Sequence, residues 1–301
     1  MPGCREEQAS SSDSDELDGM ARKPGSTKVW KERYPESFLR GFVTLDSLNR
    51  MLNVVALGGL ALSTAAISSP GPRREVPVAA WHTIVVLVVL FAASAISARQ
   101  HGLERVDFPG MSPRTASYVT VIGEEWLLVL FVWLGLRRRG VSVLHLISAG
   151  RNKGTEVLED WAFSLAFLFG WLIFAAVISL LLKLTLSDSA RSLFPRTATE
   201  AAAFLLLSLT AGFCEELIFR GYLQRQFTGW TGSAAAGLLL QGLAFGLAHG
   251  YQGFRFMLII TLEGCFLGLM ARWRRSLRSV MFAHAMQDSL GGLLAYALRM
   301  Y

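Results

Sequence analysis

Apolar residues in this chain fall into long runs separated by short polar connections, and that spacing predicts helices that cross a lipid bilayer. Runs of about 17 to 25 apolar residues cover roughly 30 Å of hydrocarbon when helical. Eight follow one another, at about 51–69, 77–98, 117–136, 161–183, 200–226, 233–250, 256–272 and 278–298. The breaks carry helix breakers or charge: Pro70-Gly71-Pro72 with Arg73 and Arg74, Pro109-Gly110, Arg137 to Gly140, Pro195, Gly229 to Gly232, and Arg272 to Arg275. The alternating strands of a membrane barrel are absent from the pattern. The expected fold is therefore all-α, a polytopic transmembrane helical bundle of about eight spans.

The polar ends divide the chain further. Residues 1–35 are rich in Ser, Asp and Glu without an apolar core, which predicts a disordered polar tail rather than a signal peptide. Met20 opens a basic stretch within that tail and is a candidate alternative start. Residues 36–50 mix apolar and charged positions, as a short interfacial helix does. The expected organisation is thus a tail (1–35), a first set of membrane helices (36–196) and a second, chemistry-bearing set (197–298).

Composition agrees with this organisation. Of 301 residues, 52% are hydrophobic and 17% charged, far more apolar than an ordinary soluble domain. The formal charge of +6 raises nucleic acid as a partner, but the basic residues cluster in short connections such as RRRG at Arg137 and RWRRSLR at Arg272. Lipid headgroups explain them better, so the expected partner is the bilayer and not nucleic acid. The expected location is an integral, multi-pass membrane protein, in the cell membrane if the source is bacterial. Three cysteines, Cys4, Cys214 and Cys265, make neither a disulfide framework nor a cysteine-based zinc site.

Three polar clusters interrupt the last spans. The first is EELIFR, Glu215 to Arg220, inside an apolar run where carboxylates are costly and usually mark function. On a helix Glu216 and Arg220 share a face, whereas Glu215 points about 100° away. An ion pair that fixes packing accounts for Glu216 and Arg220 but leaves Glu215 without a purpose. The second cluster is FGLAH, ending at His249, which alone reads as an interfacial histidine. The third is HAMQD, with His284 and Asp288 on one helical face, able to bind metal, stabilise charge or bond across one turn. Together the side chains supply a general base, imidazoles that orient water or hold a divalent metal, and charge for an oxyanion. Such parts hydrolyse a peptide bond.

These motifs, in this order, resemble the CPBP intramembrane proteases, which include the type II CAAX prenyl endopeptidases and the Abi-like bacterial proteins. That family is marked by E-E-x-x-x-R, F-x-x-x-H and H-x-x-x-N or H-x-x-x-D, and the resemblance covers residues 197–298. It implies that Glu215 and His249 activate the hydrolytic water, that His284 and Asp288 stabilise the oxyanion or help bind a metal, and that Glu216 and Arg220 shape the site. It also implies a membrane protein or peptide as substrate, which in the CAAX-processing members is prenylated. Those members usually carry asparagine where this chain has Asp288, and an ionised carboxylate cannot donate to an oxyanion as an amide does. Asp288 is then protonated, a ligand, or the residue that orients His284.

A metal set, if one is used, would draw on Glu216, His249, His284 and Asp288, with zinc as the ion. There is no H-E-x-x-H helix, and a glutamate-activated water without metal would use the same residues. Two other readings stand beside the endopeptidase: a proteolytically silent binding or immunity protein of the same fold, and a proton-coupled carrier. The absence of an internal repeat argues against the carrier. Glu263 reads as a packing residue of the seventh span, and Glu124 and Glu125 read as interfacial at the start of the third. By simple depth, Glu215 lies mid-membrane while His249 and His284 fall towards opposite sides.

Overall fold

The computed structural model describes residues 78–99, 108–150, 153–181, 183 and 188–300. The polar tail, the interfacial segment 36–50 and the first expected span, 51–69, lie outside the described residues. Those described form part of one compact unit, Asn53–Tyr301, and all regular structure among them is helical. The helices are α1 (Ala80–Arg99), α2 (Pro113–Arg138), α3 (Val143–Ser148), α4 (Gly154–Leu181), α5 (Asp188–Ser192) and α6 (Ala198–Glu216). A π-helical segment, Leu217–Leu223, continues α6 into α7 (Gln224–Thr231); α8 (Ala234–Ala248), a 3-10 turn (Gly250–Gln252), α9 (Phe254–Arg274) and α10 (Arg278–Ala297) follow.

Five of these stretches are long and apolar enough to cross a bilayer: α1, α2, α4, the continuous rod Ala198–Thr231, and α9. The count of eight is therefore approximate. The sixth expected span is α8, only 15 residues long, and the eighth is α10, whose His284, Gln287 and Asp288 lower its hydropathy. Large apolar side chains such as Leu127 and Leu206 stand exposed on the outside. Lipid is the solvent that makes this favourable, and the protein is an integral, multi-pass membrane protein.

Local chemistry sets the helix ends. Ser112 caps α2 by accepting from Thr115 N, with Pro113 at the first helical position. Thr197 caps α6 and Ser233 caps α8 in the same way. Gly232, with φ of 67°, provides the left-handed residue that ends α7 and lets the chain reverse into α8.

One end of the bundle joins the starts of α2 and α6, where Ser112 Oγ donates to Glu200 Oε1 at 2.7 Å and Tyr118 donates to Leu193 O at 2.6 Å. A buried carboxylate, Asp160 of α4, ties together the end of α9 and the start of α10. It accepts from Arg274 Nη2 at 2.6 Å, Arg278 Nε at 2.7 Å and Ser279 Oγ at 2.9 Å. Part of the basic cluster RWRRSLR thus has a protein partner rather than a lipid one.

Two close helix approaches shape the centre. A Cβ at Gly212 of α6 would lie 2.7 Å from the backbone nitrogen of Ala285 in α10, so only glycine lets these helices meet there. Gly242 and Gly246 of α8 admit Cys265 and Thr261 of α9 in the same manner.

Candidate active site

The site begins where α6 changes its winding. All seven residues of the π segment Leu217–Leu223 are buried, and it starts directly after the two glutamates. Single π turns within α-helices often mark functional positions. Tyr222 anchors this one: its hydroxyl meets His82 Nδ1 at 2.7 Å and Thr83 Oγ1 at 2.8 Å, both from α1. His82 also contacts Phe131 O at 3.0 Å, so this histidine is a tie between helices.

Glu216 and Arg220 form the ion pair their spacing predicts, with Arg220 Nη1 donating to Glu216 Oε1 at 2.8 Å and both side chains fully buried. His284 Nδ1 donates to the same oxygen at 2.8 Å. Arg220 Nη2 reaches Gly264 O of α9 at 3.3 Å, and its guanidinium lies 4.3 Å from the centre of the Phe245 ring. Gln241 also donates to Gly264 O, at 2.7 Å. Glu216 thus links α6, α9 and α10 through charge-assisted bonds.

Glu215 points elsewhere. Its Oε2 lies 3.8 Å from His249 Nε2. His249 donates from Nδ1 to Phe245 O at 2.8 Å, which leaves Nε2 directed at the carboxylate. The Phe245 ring separates the two histidines, 4.7 Å from His249 and 5.9 Å from His284 between ring centres. His284 Nε2 in turn faces Asp288 Oδ2 at 3.5 Å. Phe245 therefore lies against His249, His284 and Arg220, and Glu215, Glu216 and Asp288 pair with those three side chains.

The depth conflict disappears, since His249 Nε2 lies 3.8 Å from Glu215 Oε2. Fifteen residues rise about 22 Å, less than the hydrocarbon thickness. The helix ends at His249 within the bundle, opposite Glu215, and the chain reverses through the 3-10 turn. Tyr251 in that turn stacks on His249 at 6.0 Å and has Glu215, Asp288 and Glu125 as electrostatic neighbours.

Glu263 of α9 accepts from Gln287 of α10 and lies buried near His284, tying those two helices. Glu125 is the clear correction: it stands thirteenth in the 26 residues of α2, at mid-helix rather than at an interface. Its neighbours are Glu215, His284 and Asp288. Even within the span 117–136 Glu125 is ninth of 20 positions, so the interfacial reading does not follow from the span's own bounds. Ser112-Pro113, a cap followed by a first-turn proline, was the signal that would have placed the start correctly.

The donors named for a metal do not converge. Glu216 Oε1 is occupied by Arg220 and His284, and both nitrogens of His284 face carboxylates. Among the described residues, no three His, Cys, Asp or Glu side chains are placed to hold an ion. The arrangement does not fit a metal, and no step below passes through one.

Residues 197–290 match the family model described as type II CAAX prenyl endopeptidase Rce1-like. This segment is similar to that family. It runs from the cap of α6 through most of α10, covers about a third of the chain, and contains EELIFR, FGLAH and HAMQD. The resemblance drawn from the three motifs holds over the segment that carries them, and it supports a membrane endopeptidase of the CAAX type in general. No curated protein and no solved structure matches the chain.

Proposed function

We propose that this chain is an intramembrane endopeptidase that hydrolyses a peptide bond in a membrane-associated substrate, with Glu215 as general base and His249 as its partner in activating water. The observation that carries the reading is the Glu215–His249 pair. Its 3.8 Å separation is too long for a direct hydrogen bond. One water molecule hydrogen-bonded to both would sit at the apex of a triangle with sides of about 2.8 Å.

The reaction follows from these groups. Glu215 takes a proton from water as the oxygen attacks the scissile carbonyl carbon, and the tetrahedral oxyanion forms. The C–N bond then breaks, and the proton on Glu215 passes to the leaving amine. His249, fixed by Phe245 O, orients the water through Nε2. His284, held between Glu216 and Asp288, supplies the positive charge the oxyanion needs. In this arrangement Asp288 orients His284, a role open to a carboxylate, which when ionised cannot donate to an oxyanion. Glu216 and Arg220 hold His284 in place.

The substrate class proposed is a lipidated or otherwise membrane-held protein or peptide, with a prenylated CAAX terminus as the first case to try. Purified chain should cut an internally quenched peptide ending in Cys-aliphatic-aliphatic-Met, tested with and without an S-farnesyl group. Native chain that leaves both peptides intact, and every other peptide presented in lipid, would defeat the proposal.

A further inference from the structure

We infer that Glu125 is a positioning residue of this centre: from α2 its side chain hydrogen-bonds the Glu215 carboxyl group and holds it towards His249. The inference rests on the reading of Glu215 as general base. It assigns a function to a residue outside the Rce1-like segment and outside all three motifs.

Register alone brings the two glutamates together. Helices α2 and α6 begin side by side, where Ser112 bonds Glu200. Glu125 lies 13 residues beyond Ser112 and Glu215 lies 15 beyond Glu200, so at 1.5 Å per residue both arrive about 20 Å along parallel helices. Neighbouring residues agree: Trp126, one after Glu125, stacks on Phe213, two before Glu215, with ring centres 5.5 Å apart and planes at 23°.

Side-chain chemistry gives the contact its meaning. The electrostatic neighbours of Glu125 are Glu215, His284 and Asp288, so its carboxyl group faces the centre. Glu125 Oε2 and Glu215 Oε2 are both buried and have no hydrogen-bond partner from the protein. The Glu215 oxygen in question is the one that faces His249. A hydrogen bond between two carboxyl groups needs a proton between them, since an ionised carboxylate only accepts. With Glu125 as donor, one oxygen of Glu215 is tied back to α2 and the other stays free to accept from water.

A packing role does not account for this. An apolar side chain would seat α2 on α6 at no cost, as Trp126 and Phe213 do beside it, whereas a carboxyl group at mid-span is expensive. The donated hydrogen bond is what repays the expense.

The test compares Glu125→Gln, which can still donate from its amide, with Glu125→Leu, which cannot. Glu215→Gln is the control, and the quenched CAAX-type peptide is the probe. All four chains should elute as monodisperse species in detergent and melt at similar temperatures. Expected is a fall in kcat of about 10- to 100-fold for Glu125→Leu with KM changed less than about threefold, the scale of a misoriented reacting group. Glu125→Gln should recover to within about fivefold of native. A Glu125→Leu chain with native kcat, or a Glu125→Gln chain as slow as Glu125→Leu, would overturn the inference. If Glu215→Gln is dead and Glu125→Leu fully active, only the role of Glu125 falls. If Glu215→Gln cuts at the native rate, or native chain cuts nothing, the base assignment falls and this inference with it.

Discussion

Replacing Arg220 with methionine should leave the Glu216 carboxylate inside the bundle without its permanent cation, held by His284 Nδ1. Both side chains are fully buried, so water cannot take over the solvation of the remaining charge. The change removes the 2.8 Å bond to Glu216, the 3.3 Å bond to Gly264 O and the guanidinium over Phe245. Breaking a buried pair by deleting one partner costs about 3–5 kcal/mol, and the lost carbonyl bond adds about 1 kcal/mol. Methionine fills much of the arginine stem's volume, which keeps the cavity contribution small. The expected loss is about 4–6 kcal/mol, a factor of roughly 10³ to 10⁴ in the folded-to-unfolded ratio. The double variant Glu216→Gln with Arg220→Met removes the remaining charge and should recover about 2 kcal/mol or more. Reversible unfolding in mixed micelles, followed by tryptophan fluorescence as the SDS fraction rises, measures both. A single variant within about 1 kcal/mol of native, or a double variant no more stable than the single, would refute the buried-charge reasoning.

Three further outcomes are expected. His249→Gln should lower kcat on the quenched peptide by about 10²- to 10⁴-fold with little change in KM, the usual loss for a group that works on the reacting proton; a native rate would remove His249 from the reaction. Asp288→Asn keeps an oxygen that can accept from His284 Nε2 and adds a donor for the oxyanion, so cleavage should stay within about tenfold of native. A larger loss would show that the carboxylate charge itself is needed. Because the His, Asp and Glu donors do not converge, incubation with 1,10-phenanthroline should leave the rate within about twofold, as expected where no bound ion supplies the water's acidity; inhibition reversed by added zinc would contradict that reading.

Much of this centre was legible in the sequence, for physical reasons. Glu216 and Arg220 are four residues apart in an apolar run, so the pair that forms is dictated by helical geometry and by the absence of any other solvent for the charges. The asymmetry between the two adjacent glutamates followed from the same geometry. What could not be read was depth. The span 233–250 matches α8 to within two residues at each end, but a span's bounds do not say how deep in the bundle its end lies, and counting each span from the membrane edge sets His249 far from Glu215. The π turn after Glu216 left no trace in residue periodicity, since Leu217–Leu223 is apolar at nearly every position. The bond from Ser279 and the arginines to Asp160 was equally hidden, because a basic connection next to a membrane looks the same whether its partner is a phosphate or a buried carboxylate.

The most direct test of the central claim is quantitative peptidomics of membranes from cells carrying native chain or the Glu215→Gln variant, with both inserted at equal levels. If Glu215 is the general base, a defined set of membrane-held peptides or proteins appears cut in the presence of native chain and accumulates uncut with the variant. Identical cleavage products in the two membranes would contradict the account, and with it the assignment of Glu215 and His249 as the pair that activates water.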